Sequence, residues 1–380
     1  MTKGPLSGVK VIELAGIGPA PFACMLLADM GAEVLRLERA GGTLSSVMGR
    51  YDVLSRGRRS VAIDLKAAGA TELVLDLVAH ADVLVEAFRP GVAERLGVGP
   101  DACLIANPGL VYARMTGWGQ EGPLAPRVGH DIDYAAVAGA IATVGERGRK
   151  PVPPLNLIAD FGGGAMYCVT GVLAALVERA SSGKGQVIDV AMVDGVASLL
   201  AMAYSQLAAG LMVDERGSNL LDGGTPYYDT YKCADGEYMA VGAIEAQFFA
   251  ELARVLAIPD LPPQADRENW PRMRDLLAEK FASKTRAEWI EAFDGVDACV
   301  SPVWRMSEAA DDPHLQARQT LVDVDGVVQP NVAPRFARTP GQIGDPPKAA
   351  GTDTTEALRE WGIKDTVIEQ LLSDGALTQA

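Results

Sequence analysis

Two acid/base side chains stand out in the sequence, each beside glycine residues. Of the three histidines, His130 lies in a Gly/Pro-rich segment, PLAPRVGHDIDY, of the kind that follows a strand in an α/β sheet. Asp160 directly precedes Phe161 and the glycines at 162–164, ahead of a long apolar stretch. Imidazole and carboxyl groups serve as proton donors and acceptors when their surroundings adjust their pKa values. The two residues therefore suggest proton transfer.

Asp160 also has a structural interpretation. A carboxylate before a helix commonly caps it by accepting backbone N–H bonds, and the two roles are compatible. The glycines would leave N–H groups at the helix start open to a ligand, where the helix dipole stabilises negative charge. Apolar neighbours, Leu157, Ile158 and Ala159, would raise the pKa of the carboxyl by desolvation. The other histidines, His80 and His314, suit a helix end and a helix start.

A third acid, Glu245, follows the strand-like stretch YMAVGAIE. A carboxylate at a strand end orients a histidine when it accepts the second ring N–H. Glu245 is therefore a candidate support for a catalytic histidine. The alternative is a surface acid at the exit of a hairpin.

The charge of the chain argues against a nucleic-acid partner. With neutral histidines the net charge is −15, whereas nucleic acids are bound by basic surfaces. One segment differs: residues 50–59, RYDVLSRGRR, hold four arginines and one acid. Arginine binds phosphate through paired, charge-assisted hydrogen bonds, so the segment suits a small polyanion. A solvated arginine-rich loop is the equal alternative.

Short apolar runs alternate with helical spacing in the first part of the chain, which predicts a mostly parallel α/β sheet. The predicted strands are residues 9–15, 32–38, 60–64, 81–88 and 110–119. The predicted helices between them are residues 21–32, 71–81 and 92–98. Parallel strands place their following loops at one edge of the sheet, so the segment of His130 falls where such proteins bind ligands.

The second half of the chain changes character. Long helices are predicted at about 163–178 and 193–211, and a β-hairpin is predicted with its turn at Asp235-Gly236. We place a domain boundary before this hairpin, near residue 225. Further helical segments follow, and the last helix is expected near 365–372.

A dinucleotide-binding loop is disfavoured after the first strand. Gly16 and Gly18 begin the pattern, but Pro21 replaces the third glycine, whose absent side chain permits close packing of helix and strand. Binding of NAD or FAD is therefore not expected.

Cysteine usage and hydropathy indicate an intracellular protein. The five cysteines form no C-x-x-C pair, which favours buried thiols in a reducing compartment and no structural metal. The apolar run at 193–212 is interrupted by glycine, serine and glutamine, which suits a core helix better than a membrane span. No signal-peptide pattern opens the chain. We expect a cytoplasmic location and no membrane partner.

Several segments together resemble the family III CoA transferases, and within them the α-methylacyl-CoA racemases. The similarity runs from about residue 4 to 345. The segments that carry it are PLSGVKVIELAGIGPAPFACMLLADMGAEVLRLE, ADVLVEAFRPGVAERLGVG, YARMTGWGQEGPLAPRVGHDIDY, PPLNLIADFGGGAM, GKGQVIDVAMVDG, DGGTPYYDTYKCADGEYMAVGAIE and DPHLQAR.

This resemblance implies a fold and an assembly. It implies a Rossmann-like large domain formed by residues 1–224 and completed by a return segment, 311–380. Residues 225–310 would form a smaller α+β domain. The family pattern further implies an interlinked homodimer whose active sites lie between the large domain of one subunit and the small domain of the other. Glu245 would then act in trans.

The resemblance also implies an isomerase. In the racemase pattern, Gly129-His130-Asp131 supplies the histidine and the segment from Asp160 to residue 164 supplies the aspartate. The pair would racemise or epimerise 2-methylacyl-CoA thioesters by 1,1-proton transfer through an enolate. No cofactor beyond the CoA moiety of the substrate is implied. The alternatives are a CoA transferase, which would use Asp160 as a nucleophile through a mixed anhydride, and a non-catalytic acyl-CoA-binding protein.

Coenzyme A carries a 3′-phosphate and a pyrophosphate, which gives the arginines a role by resemblance. The candidates for these contacts are Arg39, Arg56, Arg58, Arg59, Arg89 and Arg114. A role in lipid and fatty acid metabolism follows from the implied substrate. The chain ends in LTQA rather than SKL, so we expect no peroxisomal address of that type.

Overall fold

The computed structural model describes residues 4–41 and 48–380. The backbone divides into two units. The first contains the chain up to Ala138, Leu155–Leu199 and Pro313–Ala380. The second contains Gly139–Pro154 and Leu200–Asp312.

A seven-stranded sheet organises the first unit, and its strand order is β12-β3-β2-β1-β4-β5-β6. Every neighbouring pair is parallel except β12 and β3. The order 3-2-1-4-5-6 is that of the doubly wound Rossmann fold, which confirms the predicted α/β class. The strands are β1 (Lys10–Leu14), β2 (Glu33–Glu38), β3 (Arg58–Ile63), β4 (Val83–Glu86), β5 (Val111–Thr116), β6 (Gln186–Ala191) and β12 (Leu377–Thr378).

Apolar runs form the central strands because both faces of a parallel sheet are covered. Ile12, Leu35 and Leu84 are fully buried in β1, β2 and β4. The edge strand β6 was not predicted, because its first half is largely exposed and polar residues alternate with apolar ones. The sheet ends at β12, which returns from the C-terminal region and pairs with β3.

Helices of the first unit cover the sheet and carry the loops described below. A π-helical segment, Leu157–Ala165, continues directly into a long α-helix. The α-helices are α1 (Pro19–Asp29), α2 (Ala70–Val78), α3 (Val92–Arg95), α4 (Pro100–Ala106), α5 (Asp131–Val137), α7 (Met166–Ser182), α8 (Met192–Leu199), α13 (Pro313–Arg318), α14 (Thr354–Glu360) and α15 (Asp365–Ser373). The α6 helix (Ala140–Thr143) belongs to the second unit.

The stretch Leu157–Ser182 is long and apolar enough to cross a membrane by length and composition, with a mean hydropathy of 1.4. It nevertheless packs on β5 and β6. Cys168, Val172 and Ala175 are buried. Other positions, such as Met166 and Val177, are exposed, so one side of the stretch packs on the sheet.

The second unit contains a three-stranded antiparallel sheet with the order β7-β8-β9. The predicted hairpin is confirmed: residues 233–237 connect its strands, and Gly236 has the positive φ of +87° that its turn requires. Tyr231, Phe281 and Trp289 form the aromatic centre of the core. Its elements are β7 (Tyr228–Lys232), β8 (Tyr238–Gly242), β9 (Val300–Pro302), α9 (Ala201–Ala208), α10 (Ala246–Leu256), α11 (Trp270–Phe281) and α12 (Arg286–Ala292).

The unit boundaries differ from those expected from the sequence. The second unit begins at Leu200 rather than near 225, and it also includes Gly139–Pro154. The helix expected at 193–211 is interrupted at Leu200 between α8 and α9. This interruption coincides with the change from one unit to the other. Residues 321–324 and 327–330 form a separate two-stranded hairpin, β10-β11, in the returning segment of the first unit.

Candidate active site

Two adjoining cavities lie at the carboxyl ends of the parallel strands. The first has a volume of about 600 Å³ and the second about 550 Å³. Ile17, Ala87 and Phe88 line both cavities. These residues follow β1 and β4, between which the strand order reverses. Doubly wound sheets bind ligands at that position.

His130 and Asp160 both line the first cavity, together with Asp131 and Tyr134. His130 is exposed at the N-cap of α5. Its backbone N–H donates to Oδ2 of Asp133 at 2.9 Å. The backbone of His130 is thus fixed at the helix start, and its side chain lines the cavity.

Tyr134 fixes the loop that carries His130. Its hydroxyl donates to the carbonyl oxygen of Gly129, and its ring packs edge-on against Trp118 with centroids 4.8 Å apart. A Cβ at Gly117 or Gly129 would lie within 2.6 Å of the Tyr134 ring, so both glycines are required for this packing. Burial raises the pKa of Tyr134 to about 12, which keeps the hydroxyl in its donating form.

Asp160 lies in the π-helical segment and is half-buried. Nδ2 of Asn156 donates to its Oδ2 at 3.3 Å. The loop after β1 approaches from another side, since a Cβ at Gly18 would lie 3.1 Å from the same oxygen. Phe161 packs against Phe22 of α1, with ring centroids 4.4 Å apart. These contacts hold the carboxyl group at the cavity wall.

The pKa of Asp160 is raised above its ordinary value. Burial is the main cause, and the negative charge of Asp131 adds to it. The hydrogen bond from Asn156 and the nearby His130 act in the opposite direction. The net effect is a pKa above the ordinary value, in the direction that the apolar neighbours in the sequence predicted.

Asp131 is a site residue that the sequence analysis missed. It is buried, and its Oδ1 accepts hydrogen bonds from the backbone N–H groups of Ala159, at 2.8 Å, and Asp160, at 2.7 Å. The position next to His130 was the available signal, because a carboxylate at the first residue of a helix can reach a neighbouring segment.

The prediction that the helix start after Asp160 has open N–H groups is wrong. The N–H groups of Ala159 and Asp160 bind Asp131, and that of Phe161 donates to the carbonyl oxygen of Asn156 at 3.3 Å. The helical stretch begins at Leu157, ahead of the glycines. The glycine triplet therefore does not present the ligand-binding N–H groups that we expected there.

The glycines instead permit close packing on α8. A Cβ at Gly163 would lie 2.8 Å from the backbone nitrogen of Val196, and one at Gly195 would lie 1.9 Å from the carbonyl oxygen of Gly163. A Cβ at Gly164 would lie 2.9 Å from Met192. Side chains at these positions would separate the two helical segments.

The second cavity offers cationic side chains. Arg39 follows β2 and Lys66 follows β3, and both line this cavity. They also line a smaller neighbouring cavity of about 370 Å³ with Asp64 and Thr378. The sequence analysis included Arg39 but missed Lys66, although Lys66 also follows a predicted strand.

Comparison with known proteins identifies the family. The model of CoA-transferase family III matches residues 6–354. The chain belongs to this family. It is 46% identical to the alpha-methylacyl-CoA racemase of Mus musculus over 97% of this chain and 96% of that protein, and 43% identical to the racemase of Homo sapiens over the same shares. A CAIB/BAIF family protein of Brucella suis has the same fold, with a TM-score of 0.84 and 27% identity over 94% of this chain and all of that one.

The family membership confirms the resemblance predicted from the sequence, but two predicted CoA ligands are engaged within the fold. Arg56 is 1% exposed. Its guanidinium pairs with Asp29 at 2.6 Å and donates to Gln329 and to the carbonyl oxygen of Pro330. Arg58 pairs with the fully buried Glu13 at 2.7 Å. Neither side chain lines the two large cavities of this family III protein.

Two further candidates also have internal partners. Arg59 pairs with Glu356 at 2.9 Å and with Glu360. Arg114 pairs with Glu86 at 3.0 Å and with Glu94 at 2.8 Å. Of the six arginines predicted to contact CoA, Arg39 and Arg89 are exposed and line a large cavity. The arginine-rich segment therefore consists largely of structural ion pairs.

Glu245 belongs to the second unit. It is exposed and lies at the N-cap of α10, where its carbonyl oxygen accepts from the backbone N–H of Phe249 at 3.0 Å. Its support of His130 stays a prediction.

Within residues 4–41 and 48–380, no group of three metal-ligating side chains is found.

Replacing Arg56 by Ala tests the structural assignment of this arginine. The substitution leaves Asp29 buried without its cation, and removing one partner of a buried pair costs about 3–5 kcal/mol. Urea denaturation should show this loss in the free energy of unfolding. Arg39→Ala is the matched control, because loss of an exposed side chain changes stability by about 0.5 kcal/mol or less. Equal losses in both variants would contradict the assignment.

Proposed function

We propose that this chain racemises or epimerises 2-methylacyl-CoA thioesters by moving the proton on the carbon next to the thioester carbonyl. The observation that carries the proposal is that His130 and Asp160 line the same cavity, in a protein that is 46% and 43% identical to two racemases over nearly its full length. A protonated carboxyl donates a proton, and a neutral imidazole accepts one. The two groups form the acid/base pair that inversion at carbon requires.

The reaction proceeds through an enolate. His130 takes the proton from one face, and the electron pair of the broken C–H bond moves into the thioester carbonyl. Asp160 delivers a proton to the opposite face, where the electron pair forms the new C–H bond. The roles reverse for the other enantiomer. Because no group leaves and no electrons are gained or lost, no cofactor beyond the CoA moiety is needed.

The adjoining cavities share three lining residues, Ile17, Ala87 and Phe88, and together suit an extended ligand such as acyl-CoA. We assign the nucleotide phosphates to Arg39 and Lys66 in the second cavity, and the thioester to the first. Arg89 lines the first cavity and is available to the pyrophosphate or the pantetheine arm. The shared wall at Ile17 lets a single extended ligand occupy both cavities. The side chains of Arg56, Arg58, Arg59 and Arg114 are left out of this assignment because of their ion pairs.

The acyl group lies against apolar side chains of the first cavity. Ile17, Val128, Met115 and Met192 line it. Methionine has a flexible, polarisable side chain that adapts to ligands of different shape. This lining supports a branched, apolar acyl chain as the substrate.

The surroundings of Asp160 favour this reaction over CoA transfer. A transferase would need an ionised carboxylate at this position to attack the thioester. Burial and the charge of Asp131 raise the pKa of Asp160, which is the direction that a proton donor needs. The presence of His130 in the same cavity supports the same choice, since nucleophilic attack by an aspartate does not require a histidine.

A homodimer is part of the proposal. None of the residues of α9 is buried, and Met202 and Tyr204 are more than half exposed. Apolar helical surface of this kind is typical of an interface between subunits. Glu245 of one subunit would then accept the second ring N–H of His130 of the other. A cytoplasmic location, a role in lipid metabolism and the absence of nucleic-acid and membrane partners complete the proposal.

Isotope exchange tests the proposed reaction. In heavy water, an enantiopure 2-methylacyl-CoA should gain deuterium at the α-carbon and lose stereochemical purity. His130→Ala and Asp160→Ala should each lower the racemisation rate by about 10²–10⁴-fold, the usual contribution of an acid/base group. His80→Ala, which changes an exposed histidine after α2, should leave the rate unchanged. CoA transfer to an added carboxylic acid, dependent on Asp160 alone and without exchange, would contradict the proposal.

Single substitutions at the cationic residues test the location of the CoA nucleotide. Arg39→Ala and Lys66→Ala should each weaken CoA binding by about tenfold, because a hydrogen bond to a charged group contributes about 1.5–3 kcal/mol. Titration calorimetry with CoA measures the dissociation constants directly. Arg149→Ala removes an exposed arginine elsewhere and controls for net charge. Unchanged affinity in both cavity variants would place the nucleotide elsewhere.

A further inference from the structure

The carboxylate of Asp131 joins the two segments that carry the acid/base pair. Asp131 begins α5 directly after His130. Its Oδ1 accepts from two consecutive backbone N–H groups of the π-helical segment, those of Ala159 and Asp160. One oxygen atom thus fixes the peptide that positions Asp160 relative to the loop that positions His130.

The second oxygen of Asp131 indicates that the charge itself has a role. Asp131 is 6% exposed, and its Oδ2 is buried with no hydrogen-bond partner among the described residues. A buried carboxylate oxygen without a partner costs stability, because its hydration is lost without compensation. A neutral amide oxygen could accept from the same two N–H groups, so these bonds alone do not require a charged side chain. The negative charge of Asp131 additionally acts on a neighbouring ionisable group, Asp160.

The groups that surround Asp160 come from several packed elements. The start of α5 presents Asp131 and His130 to Asp160, and Tyr134 also lies within electrostatic range of it. The π-helical segment contributes Asn156, which donates to Oδ2 of Asp160. The loop after β1 contributes Gly18, which is not titratable.

Two further packed elements present apolar groups to this segment. Helix α1 places Phe22 against Phe161, and α8 places Met192 and Val196 against the glycines that follow. Among these contacts of the described chain, Asp131 is the fixed negative charge next to Asp160.

We infer that Asp131 is a positioning residue that ties Asp160 to the His130 loop and holds a proton on the His130–Asp160 pair through its negative charge. This inference rests on the proposed racemase function. A second anion opposes ionisation of Asp160. This effect helps to keep one proton in the pair, and a two-base racemase needs one proton there to act on either enantiomer.

Two substitutions of Asp131 separate the effect of its hydrogen bonds to the π-helical segment from the effect of its negative charge. Asp131→Asn keeps an oxygen acceptor for the two N–H groups and removes the charge. Asp131→Glu keeps the charge and displaces the acceptor by one methylene group. Asp194→Asn removes an exposed carboxylate from α8 and serves as the control for net charge. The folded state of each variant is checked by thermal denaturation.

The readout is the pH dependence of kcat/KM for racemisation, which is bell-shaped when one group must be protonated and another deprotonated. Removing the charge lowers the pKa of Asp160, so the limb of the bell that this carboxyl sets moves toward lower pH and the centre moves in the same direction. We expect Asp131→Asn to move that limb down by about one pH unit, the effect of a nearby charge. Asp131→Glu should lower the height of the bell and keep its centre.

The outcomes separate this inference from the function on which it rests. A centre that moves in Asp131→Asn but not in Asp131→Glu or Asp194→Asn supports the inference. The inference is overturned if the pH profile of Asp131→Asn loses height without moving. It is also overturned if the profile of Asp131→Glu moves as far as that of Asp131→Asn. If Asp131→Asn does not fold, the pH profile of Asp131→Glu is decisive. A profile centred at the same pH as that of the unsubstituted protein supports the inference, and a displaced centre overturns it. Absence of racemisation by the unsubstituted protein would overturn the proposed function instead.

Discussion

The arrangement of the site depends on the hydrogen bonds from the backbone N–H groups of Ala159 and Asp160 to one oxygen of Asp131. His130 and Asp160 are 30 residues apart in the sequence and lie on different elements. The parallel sheet brings both elements to its carboxyl edge, but sheet geometry alone does not set the distance between two side chains. The bonds to Asp131 supply that constraint, and the packing of Tyr134 under Gly129 fixes the histidine loop.

Charge is used in two different ways in this fold. Arg56 and Arg58 lie in the interior and pair with Asp29 and Glu13, so they stabilise the fold and are unavailable to a ligand. Arg39 and Lys66 lie at strand ends on a cavity and are accessible to phosphates. An arginine-rich segment in an acidic protein therefore does not by itself mark an anion site, because buried acids elsewhere in the chain provide its partners.

Sequence reasoning predicted the parallel sheet and the hairpin, and it selected His130 and Asp160, which the structure brings to one cavity. Strand periodicity and local residue type are visible in a short window. Sequence reasoning failed where the answer lies in a distant contact. Asp29 and Glu13 are 27 and 45 residues from the arginines that they bind. The glycine triplet resembled a ligand-binding loop. A glycine is instead needed there because Gly195 approaches Gly163 too closely for a side chain. Asp131 was missed because its partners are peptide N–H groups of a distant segment, and its position next to His130 was the only signal in the sequence.

Two bases on opposite faces of one carbon are the central claim, and the isotopic composition of the first product tests it most directly. One pure enantiomer of a 2-methylacyl-CoA is allowed to react in heavy water for a small fraction of its conversion, and both enantiomers are then separated and analysed by mass spectrometry. The account predicts deuterium at the α-carbon of the inverted product from the earliest times, because its proton comes from the opposite, solvent-exchanged group. Inverted product that retains the protium of the substrate would show a single group carrying one proton between faces and would contradict the account.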